Sequence, residues 1–304
     1  MDLKSKIILI YGPTASGKSE FAVKLAKKVK GEIINADSMQ VYKEFSVLSS
    51  RPNNNEIKKA KHHLYGVISV KKYFSAGDWL KLVKKKINQC YKNKKVPIIV
   101  GGTGLYFNTI TKGISKIPDI DNNTRNKVRN LFKRIGYKKF HKKLLTIDPK
   151  IKDRILPTDS QRTQRAYEVI LKTRKSLFDW IKETKSDFKN FEMIMIFLNI
   201  PREKLLNKIS LRTELMFKNN ECIKEVKRFN FLKLDKSLSA NKLIGVQEIN
   251  AYLKGSISLN ECKELINIKT RQYAKRQATW ARGQMQSWEK INPKNLNLVL
   301  KKLK

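Results

Sequence analysis

The stretch "GPTASGKS", residues 12–19, follows the apolar run "IILIY" and matches G-x-x-x-x-G-K-[ST]. That spacing builds an anion cradle. Gly12 and Gly17 let the backbone turn, and N–H groups of the turn and the following helix point at phosphate oxygens. All eight positions, Gly12, Pro13, Thr14, Ala15, Ser16, Gly17, Lys18 and Ser19, are expected at the phosphate. Lys18 adds a point charge, and Ser19 is placed to ligate Mg²⁺. A nucleotide-splitting enzyme usually adds an acid at the end of a second strand to hold the metal. Here the strand "VPIIV" ends in "GGTG", with no carboxylate. Asp37 is the acid at a strand end in the N-terminal half of the sheet. It can support a metal, as in a kinase, or act as a base, and spacing leaves both open. His62 and His63 form a pair without an acidic or cysteine partner at ligand spacing, so packing or a polar contact is expected of them.

These groups need strands to carry them. Residues 7–11 read as a buried strand, and residues 17–30 as a helix. "GEIINADS" reads as a second strand ending at Asp37, and "HHLYGVISV" as a third. "AGDWLKLVKKKINQCY" has helical spacing, with Asp78 a capping residue ahead of it. "VPIIVGGTG" runs from a strand into a glycine turn, with a helix near 104–112. The β-loop-α alternation predicts a parallel sheet flanked by helices. From about 124 to 186 only helical periods occur; "FEMIMIFLNIPREKL" then returns as strand and helix. A helical insertion is therefore expected, with boundaries near 116 and 189. Residues 201–288 read as helical, and "LNLVLKKLK" as a short terminal helix.

The 304 residues include 66 Lys and Arg against 26 Asp and Glu, a formal charge of +40. Such an excess suits a polyanionic partner, above all nucleic acid. A lysine-rich composition from an AT-rich genome would produce much of the same excess, so the arginine clusters carry more information. The three cysteines form no C-x-x-C pair, which argues against a zinc site or a disulfide scaffold. "MDLKSK" has no signal-peptide character and no stretch approaches 18 apolar residues, so a cytoplasmic protein without a membrane span is expected.

The segments "GPTASGKS", "NADSMQVYK", "HHL", "FSAGDW", "PIIVGGTGLY", "QRTQRAYEV", "PREKL", "RTELM" and "TRQYAKRQATWARG" follow one another in an order that resembles the tRNA dimethylallyltransferases, also called tRNA isopentenyltransferases, of the bacterial type. The resemblance covers residues 7–288. It implies a P-loop NTPase-like α/β fold, with a catalytic core of residues 1–115 and 190–304 and an inserted all-helical tRNA-binding domain of residues 116–189. It also implies transfer of a dimethylallyl group from dimethylallyl diphosphate to N6 of the adenine at tRNA position 37, just 3′ of the anticodon, with release of diphosphate. Lys18, Ser19 and Mg²⁺ would neutralise the leaving diphosphate, and Arg212 in "RTELM" would reach the same group. Asp37 would be the general base, and Thr103 would contact the target nucleotide near the reaction centre.

The adenine must leave its stack to reach such a site. The expected tRNA contacts are Asp37, Ser38, Met39, Gln40, Thr103, Arg125, Gln161, Arg162, Thr163, Gln164, Arg165, Lys242, Arg271, Lys275 and Arg276. Arg162 and Arg165 share a helix face, for RNA or for internal ion pairs. Trp280 and Arg282 serve either the tRNA or the packing of the C-terminal helix. One segment departs from the family pattern: "KLIGVQE" has Val246 and Gln247 where an aromatic and a basic residue are common. A monomer is expected. Two other classes compete with prenyl transfer. A P-loop and Asp37 would serve a small-molecule or nucleotide kinase, and an RNA-binding protein could keep a vestigial P-loop. The clustered arginines and "TRQYAKRQATWARG" favour the transferase.

Overall fold

The computed structural model describes residues 5–235 and 238–302. The chain divides into two compact units, one of Met1–Ile110 and Phe188–Lys304, the other of Thr111–Asp187. The elements run β1 (Lys6–Tyr11), α1 (Lys18–Val29), β2 (Gly31–Asn35), α2 (Asn54–Lys59), β3 (His62–His63), α3 (Ala76–Lys92), β4 (Val96–Gly101) and α4 (Gly104–Thr111). Then come α5 (Asn122–Ile147), α6 (Ser160–Thr173) and α7 (Leu177–Lys182). The chain returns with β5 (Glu192–Leu198), α8 (Arg202–Phe217), α9 (Glu221–Phe231), α10 (Val246–Leu253), α11 (Leu259–Gln284), β6 (Glu289–Ile291) and α12 (Leu296–Lys302).

Among the described residues, six strands form one sheet in the order β3-β2-β4-β1-β5-β6, and each of these pairings is parallel. A parallel strand buried on both faces reads as an unbroken apolar run, which is what "IILIY" is. Its alternate side chains feed two cores. Ile7, Leu9 and Tyr11 join Trp79, Phe107 and Trp288 on one face. Ile8 and Ile10 join Phe21, Leu25 and Val29 of α1 on the other. A third cluster packs Val41, Phe45 and Leu48 with residues of α8 to α11. Because the strands are parallel, the loops after β1, β2 and β4 leave at the same end of the sheet. Those loops carry the P-loop, Asp37 and "GGTG".

The Thr111–Asp187 unit is helical and has its own core of Val128, Phe140, Leu144, Ile151, Ala166 and Tyr167. Asp121 starts α5 by accepting the Thr124 N–H at 2.7 Å, and α5 is interrupted at Gly136, whose φ is 71°.

Three sequence expectations are corrected. The "HHLYGVISV" strand shrinks to His62–His63, because Leu64 and Gly66 take φ of 64° and 59° and turn the backbone out of the sheet. Residues 201–288 are helical only in pieces, and the chain then adds the unexpected edge strand β6, paired to β5. Asp78 lies inside α3 rather than ahead of it. Ser75 is the N-cap, and Asp78 closes a reciprocal capping box on it. The terminal helix is seen to Lys302, and the rest of "LNLVLKKLK", like the start of "MDLKSK", lies outside the described residues. Among the described residues, no helix is long and apolar enough to cross a membrane.

Candidate active site

The phosphate loop closes between β1 and α1. Gly17 caps α1 with φ 86°, a conformation that suits glycine. Gly12 is packed tightly: an added Cβ would lie 2.8 Å from Ser16 Oγ and 3.1 Å from the Leu198 carbonyl oxygen. Lys18 Nζ donates to the Pro13 carbonyl oxygen at 2.8 Å. Thr14 is held twice, its hydroxyl accepting from Arg212 Nη1 at 2.5 Å and its N–H donating to Gln277 Oε1 at 2.8 Å.

Asp37 emerges from β2. Asn35 fixes its backbone: Asn35 Oδ1 accepts the Asp37 N–H at 2.9 Å, and Asn35 Nδ2 donates to the Asp37 carbonyl oxygen at 3.0 Å. Asp37 Oδ1 accepts the Met39 N–H at 2.9 Å, which sets the rotation of the carboxylate. The turn after β4 reaches the same place. Thr103 N–H donates to the Ala36 carbonyl oxygen at 3.2 Å, and Thr103 Oγ1 accepts the Ser38 N–H at 2.9 Å. This approach requires Gly101, since a Cβ there would sit 2.0 Å from the Ala36 carbonyl oxygen.

These parts surround a cavity of about 790 Å³. Thr14, Ala15, Gly17, Lys18, Ser19, Asp37, Ser38, Met39, Gln40, Arg212, Lys242 and Arg276 line it. Leu211, Leu215, Met216, Leu243, Ile244 and Ile266 add an apolar wall, and Tyr273 a phenol. Gly12, Pro13 and Ser16 are buried behind this surface and shape the loop. Thr103 is tied to the lining through Ser38.

The electrostatics fit an anion held next to a carboxylate. Burial pushes the Lys18 ammonium down to about 8, against the pull of the Asp37 charge and with the push of Arg212. Burial also lowers Arg212, again opposed by Asp37. Burial and then the Asp37 charge raise Tyr273 and Tyr11. Two cations therefore lie in a poorly solvated place where a diphosphate would restore their charge balance. Ser19 and Asp37 offer hard oxygen donors to the cavity, a set that suits a hard divalent cation completed by phosphate oxygens and water.

Gln40 lines the cavity, but its Nε2 donates to the carbonyl oxygens of Ser49 and Ser50. On α11, Arg271 lies 3.7 Å from Glu264, Lys275 is exposed, and Trp280 packs on Gly104 with the Gly104 Cβ position 2.4 Å from its ring. Arg125, Gln161, Arg162, Gln164 and Arg165 belong to the helical unit. There Arg162 pairs with Asp159 at 3.5 Å and Arg165 with Glu168 at 3.4 Å. Gln164 Nε2 donates to the Ser160 carbonyl oxygen at 3.1 Å. Thr163 is a correction. It is fully buried and its hydroxyl donates to the Asp159 carbonyl oxygen at 2.8 Å, so it packs the unit's interior instead of facing RNA. In "KLIGVQE", Val246 is a core residue and Gln247 is exposed.

The fold also supplies partners that spacing hid from His63. Glu32, His63 and Cys90 are buried, with ligand atoms within 4.8 Å of one another. His63 Nε2 lies 2.6 Å from Glu32 Oε2, and the Cys90 thiol donates to the same oxygen at 3.7 Å. Burial pushes the thiol up to about 12, so it remains protonated and serves as a donor. The cluster is a hydrogen-bonded knot between β2, β3 and α3, and none of its members lines the cavity. Residue types at spacing did not single out Asn35, Tyr273 or Gln277. A polar residue closing an apolar strand is the one signal that could have found Asn35.

A family model described as IPP transferase matches residues 40–284. A tRNA dimethylallyltransferase of Pelagibacter ubique is 56% identical over all of this chain and 97% of its own length. One from Rickettsia massiliae is 39% identical over 98% of this chain and 83% of its own. Among solved structures, a eukaryotic dimethylallyltransferase acting on tRNA aligns with a TM-score of 0.79 at 27% identity, covering 91% of this chain and 70% of the other. A full-length tRNA isopentenylpyrophosphate transferase of Bacillus halodurans aligns with a TM-score of 0.69 at 29% identity, covering 98% and 97%.

Proposed function

Because this chain belongs to the IPP transferase family, we propose that its cavity holds dimethylallyl diphosphate and delivers the prenyl group to N6 of the adenine at tRNA position 37. The chain is an enzyme of the tRNA dimethylallyltransferase kind, and the kinase alternative is set aside. One observation carries the assignment of the site: the phosphate loop with Lys18 and Arg212, and the carboxylate of Asp37, line one cavity.

In this reading the diphosphate lies on the loop amides and draws Lys18 Nζ away from the Pro13 carbonyl oxygen. Arg212 already reaches the loop through Thr14, and its remaining donors take phosphate oxygens. The adenine amine is a weak nucleophile because its lone pair is delocalised into the ring. Asp37 accepts one N6 proton as the N–C bond forms and the allylic C–O bond breaks, with the electron pair leaving on diphosphate. Such base catalysis is worth about 10²–10⁴-fold. Thr103 and Ser38 fix the turn beside the carboxylate. The apolar wall receives the dimethylallyl tail.

The family uses a divalent metal. We assign it as Mg²⁺ with Ser19 as its protein ligand. When bound, it supplies neutralising charge to the departing diphosphate oxygens. The segment 116–189 holds the anticodon stem-loop through Arg125, Gln161, Arg162 and Arg165, and contacts there offset an unstacking cost of a few kcal/mol, roughly. Lys242 and Arg276 serve the tRNA from the cavity rim. The enzyme acts as a cytoplasmic monomer.

The test is incubation of purified protein with undermodified tRNA, Mg²⁺ and labelled dimethylallyl diphosphate. Label is expected on adenine 37. A tRNA that carries this adenine yet stays unlabelled would overturn the proposal.

A further inference from the structure

α11 lays a single amide across the two loops that the reaction needs. Gln277 is 4% exposed. Its Oε1 accepts the Thr14 N–H at 2.8 Å, and its Nε2 donates to the Gly102 carbonyl oxygen at 2.8 Å. Its own backbone carbonyl oxygen accepts the Tyr11 hydroxyl at 2.9 Å. The end of β1, the phosphate loop and the turn leading to Thr103 thus meet at one residue. Neighbouring geometry is built around it. A Cβ at Gly102 would lie 2.1 Å from Gln277 Nε2, so glycine is needed there to admit the amide. Three residues further along α11, Trp280 presses on Gly104 of the same turn.

We infer that Gln277 is a positioning residue, which fixes the phosphate loop relative to the Thr103 turn by satisfying the Thr14 N–H and the Gly102 carbonyl together. The chemistry of the bridge is specific. One partner is a donor and the other an acceptor, so the side chain must offer both functions at once. A primary amide does so at every pH, and a carboxyl does so only when protonated. The bridge also removes the Thr14 N–H from the phosphate-binding set, leaving the grip to the amides further along the loop, Lys18 and Arg212. Reaction rates are sensitive to misplacement of about 1 Å between reacting groups. A brace between the leaving-group loop and the acceptor turn sets that separation. The inference rests on the reading that the loop holds the donor's diphosphate.

The experiment uses the full-length protein with inorganic pyrophosphate and Mg²⁺ in a calorimetric titration, together with steady-state kinetics and thermal melts. The variants are Gln277→Met, which keeps the volume and loses both hydrogen bonds, and Gln277→Glu. Gln277→Met is expected to weaken pyrophosphate by about tenfold or more and to raise KM for the prenyl donor more than KM for tRNA. Gln277→Glu is expected to gain activity relative to wild type, by about tenfold, as pH falls from about 9 to about 5, because only the protonated carboxyl restores both bonds. A purely structural role would leave that activity ratio flat with pH while melting temperatures changed. Wild-type affinity within about twofold in Gln277→Met, or a flat ratio for Gln277→Glu, would overturn the inference. Should Gln277→Met fail to fold, the pH profile of Gln277→Glu decides alone. Failure of the wild type to bind pyrophosphate would overturn the phosphate-loop reading first, and the inference with it.

Discussion

Lys18 Nζ donates to the carbonyl oxygen of Pro13 at 2.8 Å, so the ammonium of the phosphate loop is held by the loop itself. Burial depresses this group to about 8, within reach of ordinary assays. The cation, which is the form that would pair with a bound diphosphate, persists below that value and is lost as pH rises through it.

kcat/KM for the prenyl donor is therefore expected to fall above about pH 8 with loss of one proton. Lys18→Met should be weaker throughout and lose that limb. Stability moves the other way. In the unfolded chain the lysine keeps its ordinary value near 10.4 and binds more protons between about 8 and 10. Lys18 thus contributes a rise in stability with pH across that window. Urea melts of wild type and Lys18→Met at either end of it check the sign, and equal pH slopes would refute the assignment.

Asp37 is expected to serve chemistry more than binding, since its Oδ1 is already oriented by the Met39 N–H. Asp37→Asn should hold tRNA affinity within about twofold while single-turnover prenyl transfer falls by about 10²–10⁴-fold. Filter binding and rapid-quench assays read the two quantities separately. Wild-type turnover in the variant would remove the base.

Arg162 and Arg165 carry side chains that are 71% and 40% exposed despite their ion pairs. The Arg162–Asp159 pair is exposed and therefore weak, and Arg165, although it pairs with the buried Glu168, keeps a guanidinium open enough to reach phosphate. Replacing both with glutamine should reduce the slope of log K against log salt by about 0.7–0.9 for each lost contact. Fluorescence titrations at several salt concentrations measure it. An unchanged slope would leave both arginines as internal partners of Asp159 and Glu168.

Glu225 of α9 is a buried carboxylate that accepts the N–H groups of Ser46, Val47 and Leu48 and the hydroxyl of Ser46 at 2.8–3.0 Å. Glu225→Ala leaves those donors unpaired and should cost about 2–4 kcal/mol in urea unfolding. Donor KM should rise as well, because Leu48, Ser49 and Ser50 line the cavity. A loss below about 0.5 kcal/mol would show that water replaces the carboxylate.

The sequence made the phosphate loop, β1, α1, β4 and the glycine turn legible because their signals are local: a motif, an apolar run, a period. Asp37 was visible as an acid at a strand end, and its resemblance to a family base gave it a role. Glu225 and Gln277 were invisible because their partners lie 177–179 and 175–263 residues away. Thr163 was misplaced because the spacing of Arg162 and Arg165 describes one helix face, while Thr163, Ala166 and Tyr167 form the buried one. β6 was missed because its three residues become a strand only by pairing with β5.

Thr14 and Gln277 are separated by 263 positions, which has a meaning for how the protein is made. Chains leave the ribosome N-terminus first, at about 5–20 residues per second. The phosphate loop is therefore synthesised on the order of 10–50 s before the helix that braces it. Nascent chains stalled before residue 277 should fail to retain pyrophosphate, and retention by such chains would contradict this. Until α11 has been made the phosphate loop lacks this brace, so a chain that stops short of Gln277 is not expected to retain the donor's diphosphate.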